Sequence, residues 1–204
     1  VAVTFDLFGT LVDADTPADP AAAVARELRD RDVAVPDDFD EAYREVHIDA
    51  PPGAEVPLPA HVSAALGSRG VDGPNNAARR AVVAAFDPDV ERRPGAEAAI
   101  EAAREVGPVA VCSNCSVPEL VRRTLIRADL KGAFDGVVTS VGCGWRKPDS
   151  RAFEAVARRI EVSPADLVHV GDDPETDGGV TEVGGHFVDV AETPLAEFDP
   201  EVLR

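Results

Sequence analysis

The sequence predicts an α/β fold: a parallel sheet with helices on both faces, carrying a small all-helical insertion. Three observations predict it. Short apolar runs alternate with helix-length amphipathic patterns, the signature of strands joined by crossover helices. The runs are apolar at nearly every position, as suits strands buried on both faces. One connection, roughly residues 15–90, is far longer than a crossover needs and reads as several helices. The length of 204 residues and the 45% hydrophobic content suffice for one such domain with a modest insertion.

Residues 1–6, Val-Ala-Val-Thr-Phe-Asp, read as the first strand. Asp6 falls at its carboxyl end, where open α/β sheets bind ligands. A Gly9-Thr10 turn follows, and Asp13 is expected to cap the first helix of the insertion. Four helical patterns fill the insertion, over residues 20–31, 38–49, 59–69 and 75–86. Val24 and Leu28 fall four apart, as do Phe39 and Tyr43, which places each pair on one apolar stripe. Pro36, Pro51-Pro52-Gly53 and Gly73-Pro74 separate the helices. Beyond the insertion, strands over 108–113, 137–140, 166–171 and 186–190 interleave with helices over 96–106, 118–127, 150–160 and 177–183. Residues 191–204 read as a tail docked by Leu195 and Phe198. The expected division is a core of residues 1–14 and 91–204, and a helical cap of residues 15–90 over the strand ends.

Twenty basic residues stand against 38 acidic ones, a formal net charge of -18. Such a surface repels nucleic acid and anionic membranes. Only Lys131 and Lys147 are lysines. The acidic, Ala- and Val-rich, lysine-poor composition resembles proteins of the cytosol of salt-accumulating archaea. At about 1 M salt the screening length is about 3 Å, so such self-repulsion becomes tolerable. No secretory leader pattern or membrane-length apolar run is read, so a cytoplasmic location is expected. Three cysteines, Cys112, Cys115 and Cys143, are too few for a disulfide scaffold. Cys112 and Cys115 have C-x-x-C spacing, but a zinc site would need two further ligands and only Cys143 is available; the spacing is read as coincidence. Oligomeric state is not written in the sequence.

Four short motifs carry the chemistry. Phe5-Asp6-Leu7-Phe8-Gly9-Thr10 ends the first strand; Ser113-Asn114 follows Val109-Ala-Val-Cys112; Lys147-Pro148 follows Gly142-Cys-Gly-Trp-Arg; and Gly171-Asp172-Asp173-Pro-Glu-Thr-Asp177 follows the fourth strand. Their order and placement resemble the haloacid dehalogenase superfamily over essentially the whole chain. The resemblance implies a Rossmann-like core. It makes Asp6 the nucleophile, which divides one hard displacement into two easier steps. It makes Ser113 and Asn114 the oxyanion-binding pair and Lys147 the neutralising cation. It makes Asp6, the backbone carbonyl of Phe8 and Asp172 direct ligands of Mg²⁺, with Asp173 and Asp177 acting through water or orienting Lys147. Thr10 is expected to tie the loop, and Arg146 to be a surface charge.

The departure is Phe8. Phosphatases of that superfamily carry a second Asp there, as general acid/base; its dehalogenases carry an aromatic residue. A halide leaves without protonation, yet dehalogenases lack the acidic metal loop that Asp172 and Asp173 represent. Three readings follow. The favoured one is a Mg²⁺-dependent phosphatase of a small phosphorylated metabolite; the others are a 2-haloacid dehalogenase and a metal- or phosphate-binding module without turnover. Tyr43, Arg44, His47 and His61 are the informative polar groups of the cap, each expected to be a solvated helix residue.

Melting temperature should rise as KCl goes from dilute buffer to the molar range, because screening relieves self-repulsion of the -18 chain. A flat or falling melting temperature would overturn the salt-adapted reading.

Overall fold

In a computed structural model, described for residues 1–74 and 76–199, the chain forms a five-stranded, all-parallel, Rossmann-like sheet. Its strands are β1 (Ala2–Phe5), β4 (Val109–Ser113), β5 (Gly136–Thr139), β6 (Leu167–Gly171) and β7 (His186–Asp189), in the spatial order β5-β4-β1-β6-β7. β1 is central. Phe5 stands level with Val111 of β4 and Val170 of β6. Asp6 therefore emerges at the carboxyl edge between two neighbouring strand ends, and its N–H is held by the Val170 carbonyl at 2.9 Å.

Alternate residues of each strand serve opposite faces. Val109 and Val111 join one apolar cluster with Val3, Phe5 and Ile100. Ala110 and Cys112 join another with Phe153, Val156 and Ile160. Helices α5 (Ala96–Val106) and α6 (Leu120–Arg127) cover the first face, and α8 (Ser150–Arg159) the second. The small residues Ala2, Ala110 and Cys112 let Phe153 pack closely, fully buried. A short helix α7 (Ser140–Cys143) and a 3₁₀ segment, Asp177–Val183, complete the carboxyl edge. The segment 177–183 follows the expected helix in place but is wound more tightly.

Between β1 and α5 lie α1 (Pro20–Arg29), α2 (Phe39–Arg44), α3 (Leu58–Ser68) and α4 (Ala77–Ala85). Their Val24, Leu28, Phe39, Val62 and Val82 are continuous with the first-face apolar cluster. The helix pattern over 38–49 yields only six residues of helix, because the chain turns extended at Glu45. The pattern over 75–86 begins at Asn75, outside the described residues.

The sequence pattern missed one element. β2 (Val12–Ala14) and β3 (Val90–Arg92) pair antiparallel where the chain leaves and re-enters the core. Each is three residues long, too short for periodicity to reveal. This pairing also corrects the expectation for Asp13, which lies in β2, 3.8 Å from Arg93. The cap of α1 is Asp19, whose carboxylate accepts from Ala22 N–H at 3.0 Å.

The loop before α3 crosses to the core. Glu55 N–H donates to the Gly144 carbonyl, Arg146 N–H to Gly53 and Leu58 N–H to Ser116, each at 2.9 Å. At the other end, Leu195 and Phe198 are buried, with the Phe198 ring edge-on to Phe5 at 5.9 Å. No helix among the described residues is long and apolar enough to cross a membrane.

Candidate active site

The strand ends place two carboxylates against one ammonium and a third carboxylate close to both. Lys147, which follows α7, reaches back so that Nζ lies 2.9 Å from Asp6 Oδ1 and 2.5 Å from Asp177 Oδ1. Its side chain is 2% exposed. Burial alone would drive off the proton; the two facing carboxylates outweigh it, and the Lys147 pKa is raised above the ordinary lysine value. Burial likewise opposes the charge on Asp177, but His169 and Lys147 hold its pKa below the usual carboxylate range.

His169 is a member of this constellation that the motif reading passed over. It sits in the middle of β6, fully buried, with Nε2 3.1 Å from Asp177 Oδ1 and Nδ1 2.8 Å from Thr4 Oγ1. Burial first, then the neighbouring Lys147 ammonium, lowers its pKa, so it is neutral. The tautomer that satisfies both contacts carries the proton on Nε2, donating to Asp177, and accepts at Nδ1 from Thr4. A histidine within the buried run Leu167-Val168-His169-Val170 was the available signal: such a residue must find a polar partner.

Asp172 stands on the other side of Asp6. Thr10 Oγ1 donates to Asp172 Oδ1 at 2.9 Å, so Thr10 ties the two loops together. Two glycines make room for the acids. Gly9 has φ +81°, and a Cβ there would collide with the Asp172 carboxylate, its Cγ only 2.8 Å away. A Cβ on Gly171 would overlap the side chain of Asp177, whose Cβ would be 2.7 Å away. The Asp172 carboxyl is turned into this corner. Partial desolvation, then Asp6 and Asp177, raise its pKa.

The remaining predicted residues divide by where their polar atoms go. Ser113 ends β4 beside Asp6, and its Oγ is buried with no hydrogen-bond partner among the described residues. Asn114, expected in the oxyanion pair, spends its amide on Lys147: Nδ2 donates to the Lys147 carbonyl at 3.0 Å, and Oδ1 accepts its N–H at 2.8 Å. It positions the lysine. Asp173 is exposed, and its carboxylate accepts from Glu175 N–H and Thr176 Oγ1. Its own N–H donates to Asp177 Oδ2 at 3.1 Å, so its contribution is to the shape of the loop. Phe8 lines a cavity of about 280 Å³ with Ala14, Phe86, Asn114, Leu120 and Arg146, among others. A hollow of about 400 Å³ between α6 and β5 holds none of these carboxylates.

Arg146 is exposed, as expected of a surface charge, but it pairs with an acid whose side chain is buried. Its Nη1 is 2.7 Å from the Glu55 carboxylate, which is 3% exposed. The other singled-out groups stitch the fold. His47 and His61 bond the carbonyls of Ala42 and Tyr43, and Arg44 pairs with Asp40. All three cysteines are free, and burial pushes the Cys112 thiol up to about 12.

A divalent cation fits the crevice by charge and by donor chemistry. Asp6, Asp172 and Asp177 bring oxygens within 4.8 Å of one another, against one ammonium. Hard carboxylate oxygens suit Mg²⁺. Asp177 is spent on Lys147, His169 and the Asp173 N–H, whereas Asp6 Oδ2 and Asp172 Oδ2 have no hydrogen-bond donor among the described residues.

The model of a hydrolase family, haloacid dehalogenase-like hydrolase, matches residues 1–179. The chain belongs to that family. It is 37% identical, over 53% of its length and 42% of the relative's, to haloacid dehalogenase-like hydrolase domain-containing protein 3 of Bos taurus. It is 32% identical, over 53% of its length and 43% of the relative's, to a phosphoserine phosphatase of Thermus thermophilus. The matched stretches thus span under half of these curated relatives. Among solved structures, a 2-haloacid dehalogenase from Pseudomonas syringae pv. Tomato DC3000 superposes with a TM-score of 0.68 at 23% identity, covering 99% of this chain and 97% of that one. The proteins that this chain is similar to thus carry the names of a phosphatase and of a dehalogenase.

The crowding makes a prediction that needs no substrate. A carboxyl whose folded pKa is raised stabilises the fold below its unfolded pKa, about 3.9, and loses that contribution as pH rises through the folded value. At pH 7 in chelator, Asp172→Asn should therefore melt higher than wild type; its amide oxygen still accepts from Thr10. Mg²⁺ should raise the melting temperature of wild type and leave that of the variant nearly unmoved. A wild-type melting temperature insensitive to Mg²⁺ would refute the cation site.

Proposed function

We propose that this chain is a Mg²⁺-dependent phosphatase of small phosphorylated metabolites, acting through a covalent phosphoryl group on Asp6. One observation carries the reading: three carboxylates bring oxygens within 4.8 Å of one another, a single ammonium pairs with two of them, and Asp6 and Asp172 each keep an oxygen free of hydrogen-bond donors from the other described residues. That excess calls for a cation, and a dianionic substrate calls for the same cation.

An Asp6 oxygen forms the new bond to phosphorus, and the ester P–O bond breaks with its electron pair going to the leaving oxygen. Lys147 holds Asp6 oriented; its ammonium and the unpartnered Ser113 hydroxyl face charge growing on the phosphoryl oxygens. Held by Asp6, Asp172 and the Phe8 carbonyl, Mg²⁺ would neutralise the transferring group as a Lewis acid. Water then cleaves the acyl phosphate and regenerates Asp6. Asn114 and Asp177 keep Lys147 in place, and neutral His169 keeps Asp177 in place. The helices α1–α4 act as a cap that selects the substrate, and the reaction belongs to the cytoplasm of a salt-adapted cell.

Phe8 favours a second reading, the 2-haloacid dehalogenase, because its ring offers no proton to a leaving group. The two reactions separate cleanly. Asp6→Asn should abolish turnover while preserving the fold, since the amide is nearly isosteric but not nucleophilic. Wild type should hydrolyse 4-nitrophenyl phosphate only with Mg²⁺ present. Dehalogenation of 2-chloropropionate in excess chelator would decide for the second reading, and Mg²⁺ binding without either turnover for a binding module.

Phe8 also sets leaving-group dependence. General acid catalysis contributes about 10²–10⁴-fold, and most where the leaving oxygen is a basic alkoxide. Phe8→Asp should raise the ratio of alkyl- to aryl-phosphate hydrolysis by about tenfold or more, within that range. An unchanged ratio in a folded variant would mean that another group already supplies the proton.

A further inference from the structure

We propose that the cavity beside Phe8 admits phosphate monoesters with an apolar body free of carboxylate, and that Glu55 enforces this by occupying Arg146. The proposal rests on the phosphatase reading and narrows its substrate class. At about 280 Å³ the cavity is of a size for a small body, near the lower end of small-molecule sites at roughly 300 Å³. Its apolar wall is made by Phe8, Ala14, Phe86, Pro88, Val117 and Leu120.

Its charged lining offers no unpaired cation, and two of its polar groups are committed to the fold. The Asn114 amide is bonded twice to the Lys147 backbone, and the Ser116 carbonyl accepts from Leu58 N–H. Arg146 is the one cation of the lining among the described residues, and it is paired with Glu55 at 2.7 Å. Glu55 is almost wholly buried and also accepts from the Ser140 hydroxyl. Drawing Arg146 away toward a substrate would leave a buried carboxylate with a single neutral donor, a strongly unfavourable state. The pair therefore holds, and it presents no net positive charge to the cavity. Asp15 lines the same space and repels anions. A substrate carboxylate entering here would lose water and meet at most neutral hydroxyl donors, with no unpaired cation to offset its charge. An aromatic or aliphatic body would instead replace water against the apolar wall.

The leaving-group chemistry agrees with this selection. With Phe8 at the position that would donate a proton, an aryl oxide departs more readily than an alkoxide, and its ring meets the Phe8 side of the cavity.

The test compares 4-methylphenyl phosphate with 4-carboxyphenyl phosphate under Mg²⁺. The carboxylated phenol is the better leaving group, so intrinsic reactivity favours it. Wild type should nevertheless prefer the methyl compound in kcat/KM by about tenfold or more, a factor that corresponds to about 1.4 kcal/mol. Glu55→Gln keeps an acceptor for Ser140 and releases Arg146. It should erase most of that preference by raising kcat/KM for the carboxylated ester, with the methyl ester little changed. If melting shows that variant to be unfolded, Leu120→Arg places an unpaired cation in the same wall and should shift the preference in the same direction. Equal use of both esters by wild type, or a preference unmoved in a folded variant, overturns the proposal. Calorimetric binding of the two esters to Asp6→Asn reads the cavity without turnover. Hydrolysis by wild type without a binding preference defeats the cavity assignment alone. A preserved binding preference with no hydrolysis defeats the phosphatase reading alone, and absence of both defeats both.

Discussion

The ammonium of Lys147 is the point on which the carboxyl edge of the sheet converges. Buried to 2% exposure, it is tolerable only because Asp6 and Asp177 face it at 2.9 and 2.5 Å. Each partner belongs to a different stretch of chain. Asp6 ends the central strand, Asp177 opens the 3₁₀ segment after β6, and Asn114, which clamps the Lys147 backbone, follows β4. One charge thus ties three crossover connections at the place where the parallel topology brings strand ends together. Removing it would leave two carboxylates facing one another beside a third.

That third carboxylate, Asp172, explains the glycine at position 9, and Asp177 the glycine at position 171. The Asp172 and Asp177 side chains occupy the volume that a Cβ would need at each. Backbone without side chains lets acids crowd more closely than their charges favour, and the raised pKa of Asp172 records the cost. A bound cation would relieve such crowding, because a ligand that binds only the folded state stabilises it. His169 works in the opposite sense: neutral and buried, it supplies a hydrogen bond to Asp177 without adding charge.

The cavity beside Phe8, to which we assign substrate selection, is lined by residues of both the helical insertion and the sheet edge. The segment before α3 lies across the loop carrying Arg146 and Lys147, joined to it by Glu55 N–H to Gly144 and Arg146 N–H to Gly53. The same segment delivers Glu55 to Arg146. Structural stitching and the electrostatics of the cavity are thus set by the same few residues, and the acid that the cavity does not offer at position 8 is matched by a cation that it does not offer at position 146.

Much of this was legible in the sequence. Short apolar runs such as Val109-Ala-Val-Cys112, bounded by turn residues, suit buried strands, and their polar terminal residues then share one edge; the sheet, its helices, and the positions of Asp6, Ser113 and Asp172 follow from that pattern and order, while Lys147 was reached through the resemblance of its Lys-Pro motif. What each polar atom does there was not legible, because partners far apart in sequence compete for it. Asn114 and Asp173 carry residue types fit for a ligand, yet the fold spends them on Lys147 and on the acidic loop. The pairing of the exposed Arg146 with Glu55 was not legible because the two lie 91 residues apart. The β2–β3 pairing and the capping of α1 by Asp19 rather than Asp13 were settled by where the chain leaves the core. Local pattern determines which elements form and which face they bury; hydrogen bonds and charge pairs between distant segments decide which side chains remain free for chemistry, and those exist only once the strands are side by side.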